Sequence, residues 1–186
     1  MGYIVLILGV ALWAGAHLFK RLAPKRRAAM GESGKGLIAL ALLASIVLMV
    51  LGYRWADYIH VWTPPAFLTH LNNLLMLLAV YLFAASLLKT RITGVIRHPQ
   101  LTAVKTWALA HLLVNGSLAG ILLFGGLLAW AVVAVILINR AQRSWQRPAP
   151  ASLLIEGGAV VAALVGLWVI GTIHIWLGVW PYGSGI

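Results

Sequence analysis

Between residues 97 and 116 the chain reads RHPQLTAVKTWALAHLLVNG, which gathers Arg97, His98, Lys105, Trp107, His111 and Asn115 into one short span. The surroundings are apolar: 62% of the 186 residues are hydrophobic and only 9% are charged. Spacing of i, i+4, i+8 sets Trp107, His111 and Asn115 on one face of a helix. Pro99 suits the opening of that helix, because a first-turn residue has no intrahelical use for its N–H. His98, Thr102 and Lys105 fall on another face. His98 and His111 point to nearly opposite sides and stand ~20 Å apart along the axis, so they cannot ligate one metal. The His111 imidazole suits ligation, while Arg97, His98 and Lys105 suit a polar cavity, since charges inside a membrane must face protein, water or a ligand.

The elements that position these groups follow from composition. A soluble domain of this size cannot hide so much apolar surface, whereas runs of ~20 apolar residues cross ~30 Å of hydrocarbon as helices. The expected fold is an all-α, polytopic membrane bundle of about six spans in one domain covering 1–186. The segments run from about Gly2 to Leu22, Leu37 to Arg54, Ala66 to Leu88, Pro99 to Asn115-Gly116, Ser117 to Asn139 and Ser152 to Trp180. The fourth is short, reaching only ~25 Å. No repeat of convincing strength and no low-complexity tail stand out.

Charge orients the bundle. Of the 14 Lys and Arg residues, Lys20, Arg21, Lys25, Arg26, Arg27 and Lys35 follow the first span. Lys89, Arg91 and Arg97 follow the third, and Arg140, Arg143 and Arg147 the fifth. Only Arg54 lies on the opposite side, with Lys105 inside a helix. The positive-inside rule then puts both termini outside. The first span lacks a basic residue ahead of its apolar run and is followed by many, the reverse of a signal peptide. A net charge of +11 confined to short loops is a topology signal, so no nucleic-acid partner is expected; the expected partner is the lipid bilayer.

The chain has no cysteine, which excludes disulfides, thiolate ligands and a catalytic thiol. It has six histidines, of which His60 falls in an outer loop beside Asp57 while His17, His70, His98, His111 and His174 lie within or at the edge of spans. The ordinary alternative for each is a hydrogen bond to a neighbouring helix. Mononuclear zinc needs three or four convergent ligands, and the three acids Glu32, Asp57 and Glu156 match no histidine pair in depth. Haem b needs one or two histidines and an apolar slot. Gly15, Ala16, Ala108 and Ala110 beside His17 and His111 suit such a slot. Trp55, Trp62, Trp176 and Trp180 read as interfacial belts. GESGKG at 31–36 lacks the phosphate-loop frame and reads as a basic turn. Asn72-Asn73 reads as a bridge between helices.

RHPQLTAVKTWALAHLLVNG, together with LWAGAHLF, WTPPAFLTHL and FGGLLAW, is similar to the NnrU family of bacterial membrane proteins over nearly the whole chain. That family is similar in turn to the plant 15-cis-zeta-carotene isomerases, which bind haem b. The resemblance implies His17 and His111 as axial ligands of haem b in a bacterial inner membrane; the spacing sets Trp107 and Asn115 beside His111, and the loop charges put the termini in the periplasm. The resemblance also implies support of nitrogen-oxide (denitrification) or related redox metabolism through a redox partner. The alternative is haem-dependent cis–trans isomerisation of an apolar, carotenoid-like polyene. Where the isomerases tend to carry a cysteine this chain has Ala108, so exchange of thiolate for imidazole is unavailable. RHP at a helix start also resembles isoprenylcysteine methyltransferases, but the tail lacks their acidic pair. The substrate, the oligomeric state and the coordination number of the iron are not legible in the sequence.

Depth is the difficulty with that ligand pair. With Lys105 level with Lys20, His111 rises ~9 Å above that level and His17 ~4.5 Å; a helix tilt of ~20° closes the remainder. A fourth helix that starts at the membrane surface would instead favour His174 or His70 as ligands.

Overall fold

The computed structural model describes residues 1–182, and among them every regular element is helical. In order these are α1 (Gly2–Leu22), α2 (Pro24–Ala29), α3 (Ser33–Trp55), α4 (Leu68–Leu88), a single 3₁₀ turn (Arg91–Gly94), α5 (Pro99–Val114), α6 (Leu118–Ala141) and α7 (Leu153–Trp176). Five of them, α1, α3, α4, α6 and α7, are long and apolar enough to cross a membrane. The protein is therefore an all-helical integral membrane protein. The fourth expected span, α5, has only 16 residues, or about 24 Å at 1.5 Å per residue. Leu40, Leu43, Leu74, Leu164 and Trp168 are exposed, as befits side chains that meet lipid rather than a protein core.

Residues 1–63 and 115–141 form one compact unit, residues 64–114 and 142–186 a second. In the first, α1 packs most extensively on α3. The register is antiparallel: Gly2 lies against Trp55 and Ala56, Gly52 against Leu6, and Gly9 against Met49. Each of these glycines meets the backbone of the other helix, so the two axes approach as closely as small residues allow in membranes. Leu6 fills the notch at Gly52 and is fully buried. α6 runs alongside α1, with Gly126 against Val10 and Trp130 against Trp13. The extended segment before residue 63 is tied to the turn that opens α6: Val61 N–H donates to the Gly116 carbonyl at 2.8 Å, and Leu118 N–H to that of Ile59 at 2.9 Å.

In the second unit α4 is central, contacting both α5 and α7. The buried side chains of these helices are mostly small, with Ala79, Ala84 and Ala85 on α4 and Ala103, Ala108 and Ala110 on α5. Ser152 caps α7, its hydroxyl accepting from Ile155 N–H at 3.4 Å. Glu156 sits in the first turn of α7, where a carboxylate complements the helix dipole. It also accepts the backbone N–H of Arg91 at 2.7 Å, which ties the 3₁₀ turn to α7. α7 ends earlier than the sequence suggests, at Trp176 rather than Trp180. The cause is Gly178, whose φ of +80° is a left-handed stop; Val179 N–H then bonds back to the His174 carbonyl at 2.9 Å.

Candidate functional site

α1 carries Trp13-Ala-Gly-Ala-His17 and α5 carries Trp107-Ala-Leu-Ala-His111, the same W-A-x-A-H pattern once in each unit. The structure gives both copies the same local build. His17 Nδ1 lies 3.0 Å from the Trp13 carbonyl oxygen, and His111 Nδ1 lies 2.9 Å from that of Trp107. A carbonyl only accepts, so Nδ1 carries the proton in each ring. Each imidazole also rests on its own tryptophan, with ring centroids 4.2 Å apart for Trp13–His17 and 5.0 Å for Trp107–His111. Helical spacing of i, i+4 produces both contacts at once.

The two copies differ in what surrounds them. His17 is flanked by a second tryptophan, Trp130 of α6, at 4.6 Å between centroids. Trp13 and Trp130 themselves meet edge to face at 5.4 Å. Both bury their indole N–H without an acceptor among the described residues, an expensive state for a polar group. His111 is half-buried, and His174 of α7 lies near it. His174 repeats the ring arrangement, with Nδ1 2.8 Å from the Ile170 carbonyl oxygen.

The remaining expected residues separate. α5 ends at Val114, so Asn115 does not continue the Trp107–His111 face; it lies in the turn beyond, packed against Gly120 at the start of α6. The physical reason is the Asn-Gly pair, which favours a turn over another helical residue. His98 precedes α5, and its carbonyl accepts the N–H of Thr102 at 2.9 Å. Lys105 is half-buried in mid-helix. Arg97 is committed to the connection between α6 and α7: its guanidinium donates to the carbonyls of Gln142 and, at 3.3 Å, Ser144. Arg91 Nε likewise donates to the Ala151 carbonyl at 3.0 Å. Arg97 thus serves as a clamp on residues 142–144. His17 falls in the first unit and His111, His174 and Trp107 in the second. His70, at the start of α4, is exposed.

The clamp has a measurable consequence. Charged donors on carbonyls are worth about 1.5–3 kcal/mol when shielded, and Arg97 is only half-shielded. Arg97→Ala is therefore expected to speed tryptic cleavage after Arg143 on the order of tenfold through local opening. Digestion at the wild-type rate would show that the clamp does not hold the connection.

Sequence reasoning missed Trp13, Trp130 and Arg91. The W-A-x-A-H repeat was the signal for Trp13. Nothing local marked Trp130, which reaches His17 from a distant helix. Among the described residues no three His, Asp or Glu side chains group so as to hold a metal ion. Haem b, which requires one or two histidines, asks less of the chain, and the two orphaned indole donors suit a group that brings acceptor oxygens. A family model described as "NnrU protein" matches residues 5–181. No curated protein and no solved structure matches the chain.

Proposed function

The chain belongs to the NnrU family, and on that premise we propose that it is a haem-b protein of the bacterial inner membrane serving nitrogen-oxide or related redox metabolism. The observation that carries this reading is the pair of W-A-x-A-H copies. In each, the imidazole donates Nδ1–H to a carbonyl, the arrangement metal-ligating histidines almost always adopt. His17 and His111 are the ligands the family resemblance implies, and His174, oriented in the same way, is the reserve.

Bound haem b supplies a one-electron redox couple. The protein's own contribution is positional. The Nδ1–H bond fixes the tautomer and the ring rotation, and a carbonyl acceptor raises the basicity of Nε2. The tryptophan one turn before each imidazole makes a tilted ring contact with it. Trp13 and Trp130 offer two N–H donors that no group in the described chain uses.

Haem content of the purified, haem-replete protein tests the proposal, with a stoichiometric complement expected and its absence counting against it. Coordination separates the two chemistries this site suits. Six-coordinate, low-spin iron supports electron transfer, whereas an open coordination position during turnover supports isomerisation of an apolar polyene.

The same reading places both termini in the periplasm, from the one-sided distribution of basic residues. Cysteines introduced at Ser33, Ser144 and Ser184, the last outside the described residues, report the sidedness. An impermeant thiol reagent added to spheroplasts is expected to label only Ser184→Cys. Labelling at Ser33→Cys or Ser144→Cys without Ser184→Cys reverses the topology.

A further inference from the structure

At the end of α1 the chain breaks at Ala23 and restarts as α2, and these two helices with the end of α6 border an open basin of about 470 Å³ lined by Lys20, Arg21, Pro24, Arg27, Ala28 and Ala141. That volume falls within the range of small-ligand sites. We propose that the basin binds the phosphate of an anionic phospholipid headgroup.

Three cationic side chains converge on it from two helices. The chain has only three acids to neutralise them, and none of the three lines the basin. Glu32 pairs with Lys35 at 2.9 Å, the only ion pair among the described residues. Glu156 accepts from Arg91 in the other unit. Asp57 follows α3, at the opposite end of α1, where its carbonyl accepts the Tyr3 hydroxyl. Arg27 uses one N–H on the Gly31 carbonyl at 3.3 Å and keeps others, since a guanidinium carries five. The cations thus repel one another with no internal counter-charge, and an external anion relieves that repulsion. Topology signalling accounts for positive charge on this side of the bundle, but it does not require a recess.

Position selects the source of the anion. Lys20 and Arg21 occupy the last turn of a membrane-spanning helix, the level at which lipid phosphates lie. Basic pockets beside spanning helices take anionic headgroups, at about 1 kcal/mol for each cation near the surface. The walls contributed by Pro24, Ala28 and Ala141 suit the glycerol portion of a lipid.

Native mass spectrometry of the full-length protein, with equimolar dioleoyl-phosphatidylglycerol and dioleoyl-phosphatidylcholine in the micelle, tests the site. The wild type is expected to retain phosphatidylglycerol preferentially. Lys20→Gln and Arg27→Gln should each weaken that retention about fivefold, and the triple variant with Arg21→Gln should weaken it further. Lys89→Gln/Arg143→Gln/Arg147→Gln removes equal charge from the other unit and should leave it unchanged. Equal loss in both triple variants, or equal retention of the two lipids by the wild type, overturns the proposal. Displacement of the adduct by millimolar inorganic phosphate would mark a free anion as the ligand and overturn the lipid assignment.

Discussion

His111→Ala is expected to abolish haem binding while the protein stays folded and inserted. Ala108 and Ala110 beside His111 are fully buried, and His111→Ala leaves their packing in place. What disappears is an imidazole already oriented by the Trp107 carbonyl and in contact with the Trp107 ring. No cysteine exists to replace it. His17→Ala is expected to act in the same way and His98→Ala to retain the haem, because His98 precedes α5 and lies ~20 Å along the axis from His111. Absorption spectra of the three variants, with folding checked by size-exclusion profile, decide the matter. Equal loss in His98→Ala and His111→Ala would refute the assignment of separate roles. Loss in His174→Ala with retention in His17→Ala would transfer the second ligand to α7.

The second large effect is structural. Gly52→Ala is expected to lower the thermal midpoint of the detergent-solubilised protein by about 2–12 °C. A Cβ at residue 52 would stand 2.6 Å from Leu6 Cα and 2.9 Å from Leu6 Cβ. Backbone cannot swing aside as a side chain can, so the helices must separate along their whole seam. Overpacking costs about 1–3 kcal/mol, and a chain of this size loses about 2–4 °C per kcal/mol. Gly36→Ala, with nothing within 4 Å of its added carbon, gains the same helix propensity of about 1 kcal/mol without the clash. Its midpoint should hold or rise. Equal midpoints for the two variants would mean that the α1–α3 contact is looser than described.

These two residues also mark what the sequence made legible. Hydrophobic runs and Pro99 located six of the seven helices, and α1 has the bounds expected of it, Gly2–Leu22. α2 escaped because PKRRAA is short and basic, and hydropathy reads such a run as loop. The end of α7 was overshot because an apolar, Trp-rich segment masks Gly178, whose left-handed backbone is a property of the fold. The histidines were visible as ionisable groups in apolar spans. Their ring orientation was implicit in the i, i+4 spacing from Trp13 and Trp107. Helix partners were not legible: the approach of Trp130 to His17, the notch at Gly52 that receives Leu6, and the reach of Arg97 to Gln142 depend on which helices pack together. Hydrophobic periodicity does not encode that choice in a bilayer, where lipid and neighbouring helix are equally apolar.

Central to this account is haem b held by histidines of the W-A-x-A-H pattern. The most direct measurement is a reduced-minus-oxidised difference spectrum of membranes from haem-replete cells producing the full-length chain, set against membranes producing the His17→Ala/His111→Ala variant at equal abundance. The expected result is a b-type haem signal that rises with wild-type protein and is missing from the variant. A spectrum identical in the two membranes would contradict it.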